Sequence, residues 1–92
     1  MGNPNGAQFR NPAPPYPLAA VRLGQEGRVV LQVLVDEAGR PIKVDLRQSS
    51  GFPLLDQSAL KAVKSWRFDP ARIGFYPVSS QVRVPIRFAL KE

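Results

Sequence analysis

Apolar and polar residues alternate along two long stretches of the chain and recur at helical spacing along a third. Val29, Leu31, Val33 and Val35 alternate with Arg28, Val30, Gln32, Leu34 and Asp36. That period of two predicts a strand with one clearly apolar face and a mixed second face. Ile42, Val44 and Leu46 then alternate with Lys43, Asp45 and Arg47. Between them Asp36-Glu37-Ala38-Gly39-Arg40-Pro41 reads as a turn, with Gly39 free to take positive φ, so the pair predicts a β-hairpin. Leu55, Ala59, Ala62, Val63 and Trp66 recur in steps of three and four, which predicts a helix running to a stop at Asp69-Pro70. Asp56 suits the start of that helix, as a cap or through the dipole, and Lys64 and Arg67 suit its end. Val82, Val84, Ile86, Phe88 and Leu90 share one face of a long last strand, with Arg83, Pro85, Arg87 and Ala89 on the other. A short helix over 17–24 opens the folded part, with Pro17 in its first turn, Gly24 at its end, and Leu18, Ala20 and Val21 toward the core. Residues 71–76 read as a loop.

The order is helix, strand, strand, helix, strand. If each element reverses the last, the final strand is antiparallel to the first. Pro85 belongs on an edge strand, because it cannot donate a ladder hydrogen bond. The predicted fold is therefore α+β: a three-stranded antiparallel sheet of order 2-1-3, with two helices packed on one face. Five of the ten prolines fall within residues 4–17. Residues 1–15 read as a proline-rich linker end, and 16–92 as the domain.

Composition narrows the chemistry. Among the 92 residues there is no cysteine and no histidine. That removes thiolate nucleophiles, the usual neutral-pH general base and the commonest zinc ligands. The Ser49-Ser50-Gly51 cluster has neither a base nor a phosphate-loop pattern around it. The carboxylates are scattered, so no catalytic, cofactor or metal residue is assigned and the chain is not expected to be an enzyme. Trp66-Arg67-Phe68 reads as structure rather than a stacking site, with Trp66 on the helix stripe filling the core and Arg67 outside. Thirteen Lys+Arg against seven Asp+Glu give a net charge of +6. The basic residues are spread over every element without an aromatic set on one face, so nucleic acid is the weaker reading of that charge. No apolar run approaches a membrane span, and the N-terminus lacks a signal-peptide pattern.

The last strand is long, alternating and terminal. It is either an ordinary edge blunted by arginines and a proline, or a template on which an extended peptide adds a strand.

At this point the residues resemble a known family. Tyr16-Pro17, Glu26-Gly27-Arg28-Val29, Val35-Asp36-Glu37-Ala38-Gly39-Arg40, Ser49-Ser50-Gly51, Leu55-Asp56, Ala59-Leu60, Trp66-Arg67-Phe68-Asp69-Pro70-Ala71, Pro77-Val78 and Val82–Phe88 occur in the order seen in the C-terminal domain of TonB. The resemblance runs from about Tyr16 to Leu90. It implies a periplasmic domain of an inner-membrane-anchored Gram-negative protein, whose membrane helix and proline-rich spacer would precede this chain. It implies partnership with the ExbB–ExbD motor through that missing part, which couples proton motive force to uptake of iron-siderophore, haem or cobalamin. It implies that the TonB box of outer-membrane transporters adds as a strand beside Val82, Arg83, Val84, Pro85, Ile86, Arg87 and Phe88. It also implies transporter contacts at Arg10, Asn11, Pro12, Ala13, Pro14 and Pro15. A TolA-like or other TonB-like periplasmic interaction domain is the alternative. The isolated domain is expected as a monomer or an edge-paired homodimer.

Overall fold

The computed structural model describes residues 11–90. Its elements run α1 (Leu18–Arg22), β1 (Gly27–Val35), β2 (Pro41–Gln48), α2 (Pro53–Val63), β3 (Ala71–Ile73), β4 (Tyr76–Val78) and β5 (Ser80–Phe88). The main sheet has order β2-β1-β5, both pairings antiparallel, as the alternation and Pro85 predict.

The core lies between this sheet and the helices. Val29, Leu31, Val33 and Val35 of β1 are fully buried, as are Leu55, Ala59 and Val63 of α2. Val84, Ile86 and Phe88 of β5 complete the layer with Ala20, Trp66 and Phe68. Central β1 supplies most of the fully buried strand residues because it is covered on both edges and one face.

Four expectations are corrected. In α1 only Ala20 reaches the core, while Leu18 and Val21 are 62% and 40% exposed. A helix of five residues can turn only one small side chain fully inward. Second, α2 ends at Val63, well before Asp69-Pro70. Ser65 N–H and Trp66 N–H donate to the carbonyls of Ala62 and Val63, three residues back. This tighter winding ends the helix but continues its direction, which keeps Trp66 in line with the buried stripe. Third, residues 71–78 form a small hairpin, β3–β4, rather than a loop over 71–76. Fourth, Ile42 and Leu46 are 57% and 41% exposed. Ile42 falls in a register shift of the β1–β2 ladder, and Leu46 sits at the sheet's outer margin.

Asp56 organises the entrance to α2, though not as its cap. Phe52 holds the cap position without a side-chain bond. The buried Asp56 carboxylate instead accepts hydrogen bonds from Ser49 Oγ, Ser50 N–H (2.9 Å) and Ser50 Oγ (2.8 Å). Burial by itself would raise its pKa, but the three bonds outweigh that and hold it below the usual carboxylate value. The Ser49-Ser50 cluster is thereby accounted for as structure.

Gly39 ties the β1–β2 turn to the chain after α2. Its φ is +84°. Its carbonyl accepts from Phe68 N–H at 2.8 Å, and a Cβ placed there would lie 2.0 Å from Phe68 O. Both the conformation and the close approach exclude a side chain.

Candidate partner-binding edge

β5 meets β1 in nine consecutive pairs, from Gly27↔Phe88 to Val35↔Ser80, without a shift. Pro85 sits inside this run, opposite Val30. Having no N–H, it can occupy only a non-hydrogen-bonded pair of an antiparallel ladder. Parity then assigns the rest. Val82, Val84, Ile86 and Phe88 exchange bonds with β1. Gln81, Arg83, Pro85 and Arg87 turn their backbone groups away from the sheet. Pro41 agrees independently. It pairs with Val35 across the β1–β2 ladder, and by the same parity Val35 directs its backbone to β5.

The outward row offers N–H donors at Gln81, Arg83 and Arg87, and carbonyl acceptors at those three and Pro85. Among the described residues β5 pairs only with β1. Among the described residues the opposite margin, β2, is also unpaired on its outer side, but its ladder is broken by two register shifts. Such bulges twist a strand away from further pairing. β5 is therefore the straighter template.

The core fastens this edge from behind. Val84 is fully buried, Ile86 is 9% and Phe88 4% exposed. Tyr16 meets the Phe88 ring edge-on, centroids 5.3 Å apart and planes at 82°. The Tyr16 hydroxyl donates to Gln25 O. Burial, together with the charge of Glu26, pushes its pKa above the usual value, so it stays a neutral donor.

The segment before Tyr16 lies along α2. Asn11 exchanges two hydrogen bonds with the Arg67 backbone, each 2.9 Å. Pro12 O accepts from Trp66 Nε1–H at 2.8 Å, and Pro15 O from Ser58 Oγ. Ala13 is exposed and Pro14 half-buried. Arg10 lies outside the described residues. Residues 11–15 lead directly into Tyr16, whose ring meets Phe88 of the other predicted region.

Sequence reasoning missed which backbone groups of β5 face outward, although the position of Pro85 carries that parity. It also missed that Arg47 joins Arg28, Arg83 and Arg87 on the outer sheet face. A bulge brings it there, and bulges leave no periodic signal. Among the described residues no cluster of acidic side chains could hold a metal, and no helix is long and apolar enough to cross a membrane.

Residues 12–90 match the family model described as the Gram-negative bacterial TonB protein C-terminal. The tonB2 protein of Pseudomonas aeruginosa is 46% identical over 86 residues, covering 94% of this chain and 32% of that protein. The TonB protein of Vibrio cholerae is 44% identical over 78 residues, covering 85% of this chain and 32% of that protein. The chain therefore spans about a third of these relatives. The solution structure of the P. aeruginosa TonB C-terminal domain superposes with a TM-score of 0.79 at 27% identity, covering 100% of this chain and 96% of that one. The Helicobacter pylori TonB C-terminal domain gives 0.68 at 26% identity, covering 86% and 71%.

Proposed function

Given that this chain belongs to the Gram-negative TonB C-terminal family, we propose that it is the periplasmic docking domain of an inner-membrane-anchored energy transducer. It takes the TonB box of an outer-membrane transporter as an added strand on β5. The observation that carries this reading is the continuous outward row of backbone groups at Gln81, Arg83, Pro85 and Arg87. It acts in coupling rather than catalysis. The motor partner, ExbB–ExbD, engages the part of the protein that precedes this domain, and the cargo is an iron-siderophore, haem or cobalamin.

Backbone pairing suits such a task physically. Each added bond is worth about 0.5–1.5 kcal/mol net. A segment drawn along its own length loads these bonds together instead of unzipping them singly. Main-chain recognition also tolerates different side chains, so one domain serves several transporters. Asn11, Pro12, Ala13, Pro14 and Pro15, with Arg10, extend the contact beyond Tyr16. The domain works as a monomer, because a dimer paired through β5 would occupy the same groups.

The test is a titration of isotope-labelled domain with a synthetic TonB-box peptide. The amides of Gln81, Arg83 and Arg87 should move first and saturably. Amides that stay in place at millimolar peptide would overturn strand addition at β5. Sedimentation of the free domain should give a monomer.

A further inference from the structure

The β3–β4 hairpin stands outside the main sheet and supplies no residue to the core. Residues 71–77 are all exposed. Its strands pair Ala71↔Val78, Arg72↔Pro77 and Ile73↔Tyr76, which leaves Gly74 and Phe75 as a two-residue turn. Gly74 has φ +62°, and among the described residues no other residue type has positive φ. The turn is therefore of type II′, with Phe75 at its second central position, where Asn, Asp or Ser is usual. Ile73 and Tyr76, directly opposite each other, share one face of the ribbon, and Phe75 crowns it. Among the described residues Phe75 and Tyr76 are the only exposed aromatic side chains. Nothing in the fold requires them there.

Their chemistry matches a lipid–water boundary. A Tyr ring sits there with its hydroxyl toward water, while Phe and Ile reach the first acyl carbons. Arg72, on the other face of the ribbon, can lay its stem along apolar surface and keep its head among phosphates. Its link to Asp69, 4.0 Å between two half-exposed groups, is loose enough to give way. The net charge of +6 draws the domain toward an anionic surface at range, whereas the tip itself is an apolar contact. Interface aromatics that enter a protein pocket sit in a packed patch with a polar rim, and a ribbon two strands wide has none. The outer backbone groups of β3 and β4 are unpaired among the described residues, which limits entry into lipid to side chains.

The geometry points to a membrane-docking tip: Ile73, Phe75 and Tyr76 dip into the headgroup boundary of a bilayer that contains anionic phospholipid. The contact is shallow and reversible, because three side chains bury little area. Only Ser79 separates β4 from β5. Tyr76 and Gln81 are thus five residues apart, at most about 18 Å. A docked tip brings the free edge of β5 close to the lipid surface. The inference needs only the tip, and it stands whether or not β5 accepts a strand.

Flotation with vesicles of phosphatidylethanolamine and phosphatidylglycerol, at low and at physiological salt, tests this. The parent chain should float with them, and much less with phosphatidylcholine vesicles. Phe75→Ser should weaken partitioning roughly tenfold at both salt concentrations, whereas Phe75→Leu should stay within about threefold of the parent. Phe75→Trp should add a fluorescence component that shifts to the blue on vesicles and is quenched by brominated acyl chains, unlike the core indole of Trp66. A parent chain that does not float would overturn the proposal. Flotation that salt abolishes and Phe75→Ser leaves unchanged would overturn it too, and would move the contact to the arginines of the sheet. If the parent ignored lipid while Phe75→Ser weakened binding to an outer-membrane transporter, the tip would be a protein contact and the lipid reading would fall.

Discussion

The indole Nε1–H of Trp66 donates to the carbonyl oxygen of Pro12 at 2.8 Å, joining residues 54 positions apart. Trp66 therefore does two jobs. Its ring, 5% exposed, fills the core beside Phe68, and its nitrogen holds the segment before Tyr16 against the end of α2. The substitutions separate these roles. Trp66→Ala should cost about 3–5 kcal/mol in urea unfolding. Trp66→Phe keeps most of the ring and loses the bond, and should cost about 1–2 kcal/mol, with Asn11 side-chain resonances moving toward free values.

Gly39 and Gly24 both have positive φ, +84° and +67°, but differ in surroundings. At Gly39 a Cβ meets Phe68 O at 2.0 Å, whereas at Gly24 nothing lies within 4 Å. Gly24→Ala should cost only the backbone strain, about 1 kcal/mol. Gly39→Ala adds a backbone displacement and should cost roughly 2–4 kcal/mol. Equal melting temperatures for the two variants would contradict this.

The parity set by Pro85 separates two neighbouring proline substitutions. Arg83→Pro removes an outward donor and leaves the β1–β5 ladder intact, so it should abolish peptide binding with little change in melting. Val84→Pro removes a donor that β1 uses and disturbs a fully buried position. It should destabilise the fold by about 3 kcal/mol or more. The reverse result would mean that Val84, not Arg83, faces the visitor.

Asp56 predicts an acid limb of stability. Its folded pKa is depressed, so its stabilisation is complete above the unfolded value, about 4. It is lost as pH falls from there through the lowered folded value. Asp56→Asn should flatten this limb in pH-dependent unfolding and lower stability at neutral pH, where the Ser49–Ser50 loop prefers a carboxylate acceptor.

Phe75 at the β3–β4 turn is 93% exposed, with Tyr76 at 77% and Ile73 at 71%. Phe75→Ser should leave unfolding free energy within about 0.5 kcal/mol of the parent.

Alternation in β1 and β5 and the three-to-four spacing of α2 are properties of neighbouring residues, so they were legible in one dimension. With Pro85 they were enough to place β5 at an edge of a sheet ordered β2-β1-β5. Side-chain period also named most of the buried residues of β1 and β5, but it missed Val30, which is buried on the outer face, and included Val82, which is only half-buried. It could not say that only Ala20 of α1 goes inward, because α1 is too short for periodicity to choose a face. Nor could it show where α2 yields to a tighter turn, since Trp66 keeps the same spacing in either winding. That Arg47 joins Arg28, Arg83 and Arg87 on one face depended on a bulge in β2. Which glycine is indispensable depended on Phe68 arriving beside Gly39. The anchoring of Pro12 depended on an indole 54 positions away. Those relations are decided by register and by non-local approach, and pairs of residues that meet only after folding leave no periodic trace in the chain.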